Sequence, residues 1–187
     1  MRSLLSLAVA IALLAGCAAP ANQPPLAASK APLKDAGLLA ERGDAFSEVG
    51  DFTRAEQYYG AAIAAGANPA VILPRLLRAC LGAGDLRLAA DYAETELSRA
   101  PDNARLRFLV GALHAKIGDG VSARSHLVRA ATELPRDAEV QFSVAAFFRD
   151  DMKDRVASDP FFREYLKLEP TGRHAQEAKN SVMETVQ

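Results

Sequence analysis

A short motif recurs along this chain at a fixed interval. Gly50-Asp51 returns as Gly84-Asp85 and again as Gly118-Asp119, 34 residues apart each time, and Pro101 and Pro135 keep the same spacing. Ala55, Ala89 and Ala123 come after the three motifs at one offset. A period of this length belongs to a helix–turn–helix unit, which cannot bury its apolar face alone and must stack on its neighbours. Glycine enters the left-handed conformation without a Cβ penalty, so it ends the first helix of each unit. The Asp after it can accept hydrogen bonds from the backbone N–H groups that open the second helix. The period therefore predicts an all-α stack of helix pairs.

Unit one spans 36–69, with Leu39, Gly43 and Phe46 on its first helix and Ala55, Tyr59 and Ala62 on its second. Gly43 and Ala55 are small enough to let the two helices approach closely. Unit two spans 70–103. Leu73, Leu76, Leu77 and Cys80 share one helical face by their spacing. Pro74, beyond the first turn, is expected to remove a hydrogen bond and kink that helix. Unit three, 104–137, keeps the period best, with Leu106, Leu109, Val110, Leu113 and Ile117 inward and Gly111 at the close-contact position. Unit four, 138–171, is degenerate. Asp151-Met152-Lys153-Asp154 stands where the Gly-Asp turn belongs, one extra residue shifts the remainder of the unit, and Pro160 is expected to interrupt the start of the second helix. From Thr171 onward, Ala175, Ala178, Val182 and Met183 form a modest stripe. It predicts a terminal helix that caps the stack, since a solenoid needs a polar outer face; Glu177, Lys179 and Glu184 are expected to face away.

On these repeats the chain resembles tetratricopeptide-repeat proteins. The resemblance implies a right-handed superhelix of about four helix–turn–helix units plus a C-terminal capping helix. First helices would line a concave groove that holds an extended peptide or a partner helix. The family's groove-facing positions fall on Asp44, Ser47 and Glu48 in unit one and on Val71, Arg78 and Leu81 in unit two. In unit three they fall on Arg105, Phe108, Ala112 and Lys116, and in unit four on Glu139, Phe142, Ala146 and Arg149. Members that clamp chaperone C-termini use Lys and Asn at two first-unit positions. Ala40 and Asp44 occupy them here, so that clamp is not expected. What remains is an apolar floor of Leu81, Phe108 and Phe142 edged by Arg78, Arg105, Lys116 and Arg149, a composition suited to a binding hot spot. The other reading of Phe108 and Phe142 is that neighbouring helices cover them.

The first 34 residues read differently. Met1-Arg2 is positive, the stretch from Leu4 to Leu14 is apolar, and Leu14-Ala15-Gly16-Cys17 comes next. This layout is that of a secretory signal, and the Cys after small residues resembles a bacterial lipobox. The resemblance implies cleavage after residue 16 and acylation of Cys17. Ala18, rather than Asp, implies export to the outer membrane, facing the periplasm. Several acyl chains anchor a protein stably where one does so only marginally. Pro20, Pro24, Pro25 and Pro32 then exclude a regular helix over 17–34, which reads as a tether to the repeat domain at 35–187.

Composition narrows the chemistry. The net charge is −1, without the basic footprint of a nucleic-acid binder. The two cysteines are Cys17 and Cys80; with Cys17 acylated, no internal disulfide is expected, and Cys80 fits a small core residue. His114, His126 and His174 stand outside any His-Glu-x-x-His run, and no phosphate loop, serine elbow or paired Cys ligands occur. His114 is expected as a satisfied core histidine. Asp150, Asp151 and Asp154 fit a solvated turn at least as well as a cation site. The expectation is a non-catalytic protein-binding scaffold without cofactor or metal. By resemblance, it aids assembly of a pilus, secretion or envelope complex. A structural adaptor that docks cell-wall enzymes, in dimeric form, is the alternative.

Overall fold

The structure is a computed structural model that describes residues 35–183. The expected signal segment, Cys17 and the tether lie outside these residues. Eight helices form four successive pairs: α1 (Ala36–Glu48) and α2 (Phe52–Ala64), α3 (Pro69–Ala83) and α4 (Leu86–Arg99), α5 (Ala104–Ile117) and α6 (Gly120–Glu133), α7 (Ala138–Ala146) and α8 (Arg155–Leu168). A short α9 (Ala175–Ser181) comes last. Each of α1 to α7 packs on the next helix, α8 packs on α9, and α1 also reaches α3. No described helix is long and apolar enough to cross a membrane.

Local chemistry sets the helix ends. Asp35, Asp51, Asn68, Asp85, Asn103, Asp119, Asp137 and Asp154 cap α1 to α8 in turn, each side chain accepting from a backbone N–H of the first turn. One such cap contributes about 1 kcal/mol relative to Ala. Gly84 and Gly118 close α3 and α5 at φ 80° and 85°. The next N–H groups, of Asp85 and Asp119, donate back to the Cys80 and His114 carbonyls at 2.8 and 3.0 Å. One dipeptide thus stops a helix and starts the next.

Unit four meets the same need differently. A π-turn over Phe147–Asp151 continues α7 and absorbs the extra residue, with the Met152 N–H donating to the Phe147 carbonyl at 3.1 Å. Lys153 then takes the left-handed position at φ 56° that glycine fills in units two and three. The expected interruption at Pro160 does not occur. α8 starts from the Asp154 cap and runs through the proline, because Phe162 and Tyr165 beyond it are buried and their packing outweighs one missing hydrogen bond. α3 likewise runs through Pro74.

The core forms three successive clusters along the stack, built from aliphatic, Ala and aromatic side chains. Cys80 is buried within it, and that burial, reinforced by Glu56 and Asp85, pushes its thiol up to about 12. Close contacts obey a size rule. A Cβ on Gly43 would meet the Tyr59 ring at 2.5 Å, and one on Gly111 would meet Leu127 at 2.8 Å. In unit two the equivalent positions are Leu77 and Ala93, both buried, with bulk moved to the first helix. In unit four Ala145 is small and Phe162 large, again both buried.

Candidate functional site

A cavity of about 460 Å³ opens between α5 and α7. α5 gives it Phe108, Ala112 and Lys116; α7 gives Glu139, Phe142 and Ala146. These are groove positions expected for units three and four, three and four residues apart and so on one face of each helix. Phe108 is half-buried, and Lys116 is exposed with no ion pair among the described residues.

Phe142 sits deeper, at 8% exposure. His174, in the turn before α9, stacks on it with ring centroids 3.9 Å apart and planes within 12°. Phe162 and Tyr165 press on Phe142 from 5.8 and 5.3 Å. The backbone N–H of His174 donates to the Tyr165 hydroxyl at 3.0 Å. The neighbouring Arg173 pairs with Glu139 at 2.5 Å. Phe142 is therefore the wall of the groove beneath a lid of C-terminal chain, while Phe108 is its accessible aromatic.

The other expected groove residues go elsewhere. Arg149 turns to the C-terminal end: it binds Asp150 and Glu177 at 2.7 Å each, donates to the Ser181 hydroxyl at 2.7 Å, and lies 5.1 Å over the Phe162 ring. Hydrogen bonding to Asp150, then to Glu177, holds its guanidinium above the ordinary range, while burial opposes this. Glu177, expected to face away, is thus engaged. Arg105 pairs with Asp137, the α7 cap, and lines a separate surface hollow rather than this cavity. Arg78 and Leu81 are exposed on α3, outside its lining.

Arg173 and His174 are the site residues that sequence reasoning missed. The terminal helix expected from Thr171 begins instead at Ala175, and the four residues before it form a turn against α7 and α8. Gly172 was the available signal, since a Cβ there would meet the Tyr165 hydroxyl at 2.7 Å. Of the acidic group in unit four, Asp150 is held below the usual carboxylate range by Arg149, Asp154 caps α8, and Asp151 is exposed beside the cavity. His114 and His126 stack on each other beside Glu94, outside the groove lining. A larger depression, about 860 Å³, runs along α6 past Val121, Val128 and Met152. It lacks the groove's aromatic side chains.

Stacked helix pairs, with Gly-Asp turns in the first three units and a groove between the first helices of units three and four, define a tetratricopeptide-type superhelix. Solved structures agree on that fold. YrrB, described as a tetratricopeptide protein with an unusual peptide-binding site, superposes with a TM-score of 0.66 at 16% identity, over 79% of this chain and 75% of its own. MamA from Desulfovibrio magneticus, residues 41 to the end, gives 0.60 at 20% identity over 75% and 79%. A tetratricopeptide repeat protein from Parabacteroides merdae gives 0.68 at 19% identity, over 78% of this chain and 58% of that one. The sequence matches no protein-family model and no curated protein.

Proposed function

We propose that this protein is a non-catalytic scaffold that holds a short extended segment of a partner protein in the α5–α7 groove. The observation that carries this reading is Phe108, a half-buried aromatic on the groove face of α5, one turn from Ala112 and two turns from the exposed Lys116. An aromatic anchor beside a cation, over small residues that admit a backbone, is a hot-spot arrangement. YrrB, with the same fold, is described by its peptide-binding site. In this reading acylated Cys17 holds the scaffold on the periplasmic face of an outer membrane, where it assists assembly of a pilus, secretion or envelope complex. The apolar depression along α6, with Val121 83% exposed, favours the adaptor as the second reading.

Photo-crosslinking from position 108 tests the groove. A partner peptide captured there, and lost with Lys116→Glu, supports the reading. Capture only from position 121 on α6 supports the adaptor. A Cys17→Ser chain that fractionates with membranes as the parent does overturns the anchor.

A further inference from the structure

We propose that Glu94, His114 and His126 form a binding site for a divalent cation of the zinc class, which braces α4 against α5 and α6. The three residues come from three successive helices and join units two and three. Their ligand atoms lie within 4.8 Å of one another. His114 Nε2 stands 2.5 Å from a Glu94 oxygen, and the two imidazole planes are parallel to within 3° at 5.9 Å.

The state of His114 is decisive. Its side chain is 13% exposed, and, contrary to the satisfied core histidine expected, its Nδ1 is buried with no hydrogen-bond partner among the described residues. An Asp119 carboxylate oxygen lies 3.4 Å from that nitrogen. A neutral imidazole carries one proton. With that proton on Nε2, facing Glu94, a bare Nδ1 lone pair is buried toward the Asp119 carboxylate. With the proton on Nδ1, a lone pair faces Glu94 instead. A positive charge at Nε2 resolves both conflicts, and a metal ion there, unlike a second proton, also draws on His126: Glu94 and His126 become co-ligands, and Nδ1–H turns to Asp119. Carboxylate, imidazole and metal in that order are the usual outer-shell arrangement at zinc sites.

The donor set selects the ion. Two imidazoles and one carboxylate suit zinc and its transition-metal neighbours, whereas magnesium and calcium prefer all-oxygen shells. Three protein ligands leave a fourth tetrahedral position for water. Bond lengths of about 2.0–2.1 Å put neighbouring ligand atoms roughly 3.3 Å apart, so the widest gap must close and the shortest must open. Glu94, with 45% of its side chain exposed, has the freedom to do so. Asp119 also caps α6 by accepting from the Ser122 N–H at 3.1 Å, so its two oxygens serve two tasks. The ligands are 20 and 12 residues apart, so none of them falls in a short His-Glu-x-x-His or Cys-x-x-Cys run.

The test is zinc titration of the full chain after chelator treatment, read by calorimetry and thermal melting. Cobalt substitution then reports geometry by its absorption spectrum. We expect one equivalent of zinc, a raised melting temperature, and a tetrahedral cobalt spectrum without a thiolate band. His126→Asn and Glu94→Gln should abolish or sharply weaken uptake. Asp119→Asn should weaken it by about 10–100-fold, with the apo fold intact because Asn caps a helix as well as Asp. No uptake, a cobalt thiolate band, binding that survives His126→Asn, or equal binding of magnesium would each overturn the assignment.

Discussion

At the scale of single residues, small side chains do the most positioning. A Cβ at Gly111 would sit 2.8 Å from Leu127 Cγ and 3.0 Å from the Leu127 backbone nitrogen. Side-chain rotation relieves the first contact but not the second. Gly111→Ala should therefore destabilise the fold by about 1–3 kcal/mol in denaturant unfolding. Adding Leu127→Ala should recover little of that loss, because the backbone clash remains and a cavity is added. Lys153 is the opposite case. Its left-handed φ costs roughly 1–2 kcal/mol in a residue with a side chain, partly offset by the greater unfolding entropy of glycine. Lys153→Gly should raise stability by about 0.5–1 kcal/mol, with the gain visible as a higher urea midpoint at unchanged slope.

At the scale of elements, the joints are polar where the core is not. Arg107 on α5 is 5% exposed; its Nε donates to Glu133 on α6 at 2.9 Å and its Nη2 to the Pro101 carbonyl. One guanidinium thus ties the α4–α5 turn to the end of α6. Arg107→Met keeps the stem and removes the donors. It should cost about 1.5–3 kcal/mol, the scale for hydrogen bonds to a charged group, and Arg107→Lys should not fully restore it, since an ammonium lacks the fork. The repeat made these helices legible, because one dipeptide encodes both a stop and a cap. Unit four was only half legible. The π-turn and the passage of α8 through Pro160 depend on burying Phe147, Phe148, Phe162 and Tyr165. Tertiary packing decides that, and no local pattern records it.

At the scale of the molecule, the turn at 171–174 folds back over the groove. Phe108, Phe142 and Lys116 come together as the repeat register implies, since register fixes which face of a helix lines the concave side. The assignments of Arg105 and Arg149 did not follow from register, because a long cationic side chain goes to the nearest carboxylate: Asp137 for one, Asp150 and Glu177 for the other. Several such carboxylates are held below their ordinary values of 3.8 and 4.5: Asp150 by Arg149, Asp159 by Arg163, and Glu133 by Arg129 and Arg107. A lowered carboxyl binds fewer protons folded than unfolded, so its contribution is complete above the ordinary value and disappears as pH falls through the folded one. The melting temperature should stay level down to about pH 5 and then drop progressively. Arg149→Met should flatten that drop, as measured by melting across the acid range.

The exchange of bulk between paired helices limits how this chain can be rearranged. Transplanting the Leu77 helix opposite the Leu127 helix would set branched bulk against branched bulk, whereas the reverse graft would leave Gly111 facing Ala93 across a void. Each hairpin is matched to its own companion, so recombination has to move whole hairpins and cannot deal single helices like beads.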